Sequence, residues 1–409
     1  MVRYLFFTEY YHLELIKGKK IRDILLDKQN WWNFFKQHTD LIRIDIVTNI
    51  LKVLTCGTHF IGFQVFVCDT CMHMKAVFHS CKSRFCSSCG KKATDNWISK
   101  QLQILPQTQW QHITFTFPKE LQPLFWLNRD LFNTLMPIPA KLITESARKM
   151  GIIPGIFVAM HTFGRDLKQN LHFHLSTTLS GLSRDKTTWM KRFRFHRPAL
   201  RTIKQEWTTC VITVLRTQYQ EGQLKLPKTM PADTFLAFLD QQTSWVVHFS
   251  MPSDNHYRNV TYLGRYLMRP PIGETRINAY DGHQVTFEYF DHHHKTKASL
   301  TVPVFDFIKR LIRHIPDRYF RVVRYYNWLS NRTRGQYLPF VYQALKQIAK
   351  KTMKLSWRAL LIKTFGKDPL QCPHCHHTMR LTHHVFAYPV RTLKAKHKYI
   401  ANPISYQVT

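Results

Sequence analysis

His172-Phe173-His174 and, about ninety residues later, Tyr262 and Tyr266 are the side chains in this sequence best suited to chemistry on a phosphodiester. Side chains alternate faces along a strand, so His172 and His174 project together while Leu171, Phe173 and Leu175 pack the other face. Two imidazoles side by side are half the shell of a divalent metal. Residues four apart are neighbours on a helix, so the phenol hydroxyls of Tyr262 and Tyr266 can reach one site in turn. A metal on the histidines would bridge phosphate oxygens and orient the phosphorus for in-line attack by a phenol. Attack by tyrosine keeps the bond energy in a phosphotyrosine, whereas attack by water would lose it.

The tyrosine segment carries its own cations. Tyr262, Arg265, Tyr266 and Arg269 follow the i, i+3, i+4, i+7 spacing of one helix face, while Val260, Leu263 and Leu267 form an adjacent apolar stripe. Arginines there can bind phosphates through paired hydrogen bonds, which makes Arg265 and Arg269 candidate DNA contacts. Pro270 and Pro271 end the helix. Taken singly, each string also suits a bland role: paired histidines occur as structural or surface features, and tyrosines commonly pack at the rim of a core.

A third group of residues has metal-ligand spacing. Cys68 and Cys71 form one Cys-x-x-Cys pair and Cys86 and Cys89 another, with fourteen residues between the pairs. Four thiolates so arranged can close one tetrahedral zinc site, and a closed site has structure and DNA contact as its role rather than catalysis. Cys56, Cys81, His59, His73 and His79 are near enough to hold a second ion or replace a ligand, and Cys372-Pro373-His374-Cys375 stands isolated in the tail. The nine cysteines are an odd number grouped mostly in close pairs, which fits metal binding in a reducing compartment, the cytoplasm, better than a disulfide framework.

These groups need elements to position them. Residues 1–54 read as helical, Phe63 to Val67 as a short strand, and Asp95 to Ile104 as a helix. The alternating β-branched and aromatic run Trp110 to Phe117 reads as a strand ended by Pro118. Residues 122–150 read as helical; Ile156 to Met160 and Leu171 to Leu179 read as strands joined by a turn at Gly164. Further helices are expected at Leu200 to Tyr219, Asn259 to Met268 and residues 303–350, with strands at Ser244 to Phe249 and Val285 to Tyr289. Strands and helices interleave without a regular βαβ period, so an α+β fold on an antiparallel sheet is expected. The expected division is a helical segment at 1–55, a zinc-binding DNA-contact module at 56–100, a catalytic domain at 105–300 and a basic helical region at 301–409.

The chain has 59 Lys and Arg against 25 Asp and Glu, a formal net charge of +34, far beyond what solubility requires, so a polyanionic partner is expected. No membrane association is expected, because apolar stretches such as Val302 to Ile315 are interrupted by Asp306, Lys309, Arg310 and Arg313. Met1 to Tyr11 includes Arg3 and Glu9 and lacks the pattern of an export signal.

In order and spacing together, the cysteine-rich module, Phe115-Thr116-Phe117-Pro118, His161 to Leu167, Asn170 to Leu175, Tyr262 to Tyr266 and Leu329-Ser330-Asn331-Arg332 resemble the two-tyrosine HUH transposases of bacterial insertion sequences. The likeness runs from about Ile44 to Arg380, although Phe85 stands where the family usually has histidine and Ser87-Ser88 where it has proline. The resemblance implies an HUH-type antiparallel sheet with flanking helices and rolling-circle transfer of single-stranded DNA of the element's ends and target through a 5′-phosphotyrosine. It also implies Mg²⁺ or Mn²⁺ on His172 and His174, structural Zn²⁺ on the cysteine module, nucleophiles at Tyr262 and Tyr266, and action at the nucleoid. A third ligand to the catalytic metal is expected from His161, Asp166 or Glu288. Two other readings remain: an HUH replication initiator that nicks an origin, and a non-catalytic zinc protein that binds nucleic acid through charge. The sequence leaves open the oligomeric state and which tyrosine acts first.

Overall fold

A computed structural model describes residues 20–190, 195, 197–241, 245–267, 270–291, 294–349 and 355–401, without the side chains of 262, 263 and 265–267. The architecture is mixed α and β with antiparallel sheets, as expected. Strands are numbered in chain order: β1 Phe63–Val67, β2 Met74–Phe78, β3 Trp110–Thr116, β4 Ile152–Phe163, β5 Gln169–Ser183, β6 Trp189–Met190 and β7 Val247–Phe249. These are followed by β8 Ile277–Tyr280, β9 Gln284–Asp291, β10 Thr296–Pro303, β11 Val323–Tyr326 and β12 Arg380–Val385.

The central sheet has the order β11-β4-β5-β3-β7, with β6 pairing on β5. Its spine is the long β4–β5 hairpin, which turns at Gly164, where Gly164 N–H donates to Lys168 O at 2.9 Å and Leu167 takes a left-handed φ of 63°. Both strands are buried on both faces, so alternation sorts their side chains between two environments. On one face Ile113, Phe115, Ile156, Val158, Met160, Leu171, Phe173 and Leu175 join helices Gln122–Leu127, Leu131–Leu135, Ile138–Lys149, Arg197–Gln220 and Ala232–Asp240 in the largest core. Trp207 is fully buried there, edge-on to Phe115, Phe117 and Phe173, and its indole donates to Thr116 O at 3.0 Å. On the opposite face Trp110, Phe157, Ala159 and Leu182 pack with Val260 and Trp328.

A second core joins the N-terminal helices Ile21–Leu26, Asn30–Gln37 and Ile44–Thr55 to the β10-β9-β8 meander and the helix Val304–Arg313. The last helix buries Val304, Phe307, Ile308, Leu311 and Ile312, the i, i+3, i+4, i+7, i+8 stripe of an amphipathic helix. Cys81, Cys86 and Cys89 are buried in the same core.

The C-terminal third, read from sequence as helical, also contributes strands to two of the sheets. β11 adds an edge to the central sheet, pairing Val323–Tyr326 with Ala159–Ile156, and β12 pairs with β1. Trp328 follows β11 and packs against Gly155, where an added Cβ would lie 2.7 Å from Cε2 of the indole. Asn327 ties this corner to β4 by donating to Pro154 O at 2.9 Å. The region read as helical at 122–150 comprises three helices, with breaks around Asn128 and Pro137. No helix among the described residues is long and apolar enough to cross a membrane.

Candidate functional site

Strand register gathers three histidines. His161 on β4 is directly opposite His172 on β5, while His174 has Ala159 on one side and Thr114 of β3 on the other. One ligand nitrogen from each of His161, His172 and His174 falls within 4.8 Å of the others. The Nε2 atoms of His172 and His174 are 3.1 Å apart. A cation about 2.1 Å from two imidazole nitrogens holds them about 3.0–3.4 Å apart, so the pair has the spacing of two ligands on one ion. His161 therefore stands in the position expected of the third ligand. Asp166 turns instead to Lys168, 3.1 Å away, and Glu288 lies on the meander 3.9 Å from Lys297.

The surroundings hold these rings in a metal-ready form. His172 Nδ1 is 2.8 Å from Asn170 O; donation of its N–H leaves Nε2 free to bind a metal. His174 Nδ1 is 2.9 Å from His112 Nε2, and His112 Nδ1 is 3.3 Å from Ser176 Oγ. With each Nδ1 as the donor, this chain places the proton of His174 on Nδ1 and the lone pair on Nε2, the atom facing His172. Burial pushes the imidazoles of His172, His174 and His112 toward the neutral state, His174 far below its ordinary range and His112 down to about 4, with neighbouring histidines adding to the effect on the latter two. Neutral imidazole is the form that binds metal. Gln122 secures the start of this segment, accepting from Leu171 N–H at 2.6 Å, and the β4 register shifts between His161 and Phe163, a bulge beside the site.

The helix His256–Leu267 carries Tyr262 and Tyr266 one turn apart. It packs closely on the helix Ser87–Ile104, because Gly264 is buried and a Cβ there would meet Ile98 Cδ1 at 2.8 Å and the Trp97 ring at 3.2 Å. Val260 and Asn259 line a small cavity with Trp110, Phe157 and Ser176. Ser176 shares a β5 face with His172 and His174, so the helix backbone crosses the histidine side of the sheet. Its start is tethered through Ser253, which pairs with Trp110 of β3 and accepts from Asn259 Nδ2 at 3.1 Å. Arg265 lies on this helix with its side chain undescribed, and Arg269 lies outside the described residues.

The cysteines assemble differently from the expected single site. Cys68 and Cys71 do not meet Cys86 and Cys89. Cys56, Cys81, Cys86 and Cys89 form one cluster, and Cys68, Cys71, Cys372 and Cys375 form another. The β1–β2 hairpin is the reason: Cys68 and Cys71 sit at its tip, whereas Cys56 and Cys81 flank its open end, about 17 Å away for strands of this length. In the first cluster Cys56 Sγ lies 3.5 Å from Cys86 and 3.6 Å from Cys89, and Cys81 lies 3.6 Å from Cys89. Tetrahedral zinc with bonds of about 2.3 Å separates its sulfurs by about 3.8 Å, so this set fits one ion.

His112 was not singled out from the sequence. Its signal was the period of two within Trp110 to Thr116, but only the β3–β5 register puts it against His174.

The site thus combines an antiparallel sheet with histidines converging on one face, a helix carrying positions 262 and 266 across it, and an N-terminal cysteine centre. A family model described as putative transposase matches residues 155–336, and one described as transposase zinc-binding domain matches residues 27–117. The chain belongs to the IS91 family of insertion-sequence transposases. It is 36% identical over 382 residues to the transposase for insertion sequence element IS801 of Pseudomonas savastanoi pv. phaseolicola, covering 90% of this chain and 91% of that protein. It is also 27% identical over 379 residues to the putative transposase y4qJ of Sinorhizobium fredii (strain NBRC 101917 / NGR234), covering 86% of this chain and 92% of the relative. No solved structure matches the chain.

Proposed function

We propose that this transposase nicks and rejoins single-stranded DNA at the ends of its element and at the target, by rolling-circle transfer through a 5′-phosphotyrosine. The observation that carries this reading is the helix holding positions 262 and 266 across the sheet face on which His161, His172 and His174 converge. The oxygen of Tyr262 or Tyr266 attacks the scissile phosphorus, a P–O bond forms to tyrosine, and the 3′-oxygen leaves and takes up a proton. The other tyrosine accepts the second strand, and attack by a 3′-hydroxyl on each phosphotyrosine restores the phosphodiester and frees the phenol. His161, His172 and His174 would hold a divalent cation, which when bound would supply neutralisation of the charge developing on the scissile phosphate. A set of nitrogen ligands favours Mn²⁺ over Mg²⁺. Arg265 and Arg269 grip the flanking phosphates, and the general excess of cations holds the strand and brings the protein to the nucleoid.

The test is a covalent adduct between the purified protein and a single-stranded oligonucleotide carrying the element end, with Mn²⁺ or Mg²⁺ present. The adduct is expected with the wild type and absent from the Tyr262→Phe, Tyr266→Phe double variant; persistence in the double variant refutes the proposal. Cleavage of an origin sequence in place of an element end would point to a replication initiator.

A further inference from the structure

We infer that Cys68, Cys71, Cys372 and Cys375 form a second structural zinc site, one that clasps the C-terminal region onto the N-terminal module. The sulfurs are placed for it: Cys68 to Cys375 is 3.3 Å, Cys71 to Cys375 3.4 Å and Cys71 to Cys372 3.6 Å. All four are free thiols, and Cys68 and Cys372 are completely buried, each packed with Phe66 and Met379.

The backbone provides a second, independent sign. At Cys68-Asp69-Thr70-Cys71, Met72 N–H donates to Cys68 O at 2.8 Å and Cys68 N–H donates to His73 O at 2.9 Å, with Met72 at φ 58°. At Cys372-Pro373-His374-Cys375, His376 N–H donates to Cys372 O at 3.1 Å and Cys372 N–H donates to His377 O at 2.9 Å, with His376 at φ 62°. Two segments 304 residues apart thus adopt the same tight turn, each with a left-handed residue directly after the second cysteine. Left-handed φ is uncommon outside glycine, so its recurrence at Met72 and His376 marks a shared constraint. Two such turns facing each other across four sulfurs make a closed tetrahedral thiolate cage.

Neighbouring contacts fix the two halves together. β12 pairs with β1 from Val67–Arg380 to Phe63–Val385, Arg380 pairs with Asp69 at 2.9 Å, and Lys75 donates to Pro369 O at 3.1 Å. Gly62 admits the returning chain, since a Cβ there would lie 2.8 Å from Ala387 N. The zinc-binding family model ends at residue 117, so it contains only half of this ligand set. The inference does not depend on the DNA chemistry proposed above.

Two measurements on the full-length protein test it. The first is Co²⁺ substitution: two thiolate-bound metals are expected in the wild type, read from the thiolate-to-cobalt charge-transfer band, against one in the Cys372→Ser, Cys375→Ser variant. One such metal in the wild type, or two in the variant, overturns the inference. The second needs no variant, and so holds even if the variant fails to fold. Peptides containing Cys372 and Cys375 should resist alkylation with zinc bound and become modified after chelation. Rapid alkylation in the zinc-loaded protein, or a Cys68–Cys375 disulfide by mass spectrometry, overturns it.

Discussion

Replacing Gly264 with alanine puts two opposed effects in competition. In an isolated helix the change stabilises by about 1 kcal/mol, because glycine is the poorer helix former. In this fold the new methyl overlaps Ile98, with Cδ1 only 2.8 Å away and Trp97 at 3.2 Å, where carbon contacts settle at about 3.5–4.0 Å. Relief requires the helix His256–Leu267 to retreat from Ser87–Ile104 by an amount on the order of 1 Å. Overpacking of this kind costs about 1–3 kcal/mol, which offsets or exceeds the propensity gain. The larger consequence falls on activity, since a shift near 1 Å in a group that positions reacting atoms can cost roughly a hundredfold in rate. The assay pairs urea unfolding with the rate of DNA-adduct formation, for Gly264→Ala, Ile98→Ala and the double variant. Ile98→Ala removes the clashing atoms, so the double variant should be more stable than the two single changes sum to, by about 1 kcal/mol or more, and should recover adduct rate. Additive stabilities, together with a Gly264→Ala protein that is stabilised and fully active, would refute the close packing of these helices as the device that positions the tyrosines.

Three further outcomes are expected. His161→Ala should weaken Mn²⁺ binding by at least tenfold in calorimetry while leaving the zinc content unchanged, whereas Asp166→Ala and Glu288→Ala should leave Mn²⁺ affinity near that of the wild type. Gly155→Ala should destabilise by about 1–3 kcal/mol in chemical denaturation, because its Cβ would press on the Trp328 ring; unchanged stability would count against that packing. His397 accepts a hydrogen bond from the Trp31 indole at 2.8 Å, and burial lowers its pKa to about 4. Because the unfolded chain binds this proton first, the stabilisation is complete above about pH 6.5 and is lost as the pH falls toward 4. The loss amounts to about 2–3 kcal/mol after allowance for solvent screening. His397→Gln should flatten the difference between urea midpoints at pH 7.5 and 4.5; parallel pH profiles would refute the assignment.

The site was most legible where local periodicity does the positioning. Alternation along 171–175 put His172 and His174 on one face and their apolar neighbours on the other, which is how β5 lies. What stayed hidden depends on which elements are neighbours in space. His161, Asp166 and Glu288 were equal candidates until the β4–β5 register set His161 opposite His172. His112 needed the β3–β5 pairing for the same reason. The cysteine spacing misled because a Cys-x-x-Cys pair reveals its own geometry but not its partner, and the partner of Cys68 and Cys71 lies in the tail. β11 and β12, of four and six residues, are held by pairing with long strands or hairpins formed far away in sequence, which their own residues do not reveal.

The central claim is that a histidine-bound metal and the helix tyrosines act on one phosphodiester. The most direct measurement is the mass of the species formed when a labelled single-stranded element end is incubated with protein and Mn²⁺, followed by peptide mapping of the attachment point. The account predicts a 5′-linked adduct on Tyr262 or Tyr266, lost on chelation and in the His172→Ala, His174→Ala variant. Attachment at any other residue, or an adduct that survives loss of both histidines, would contradict it.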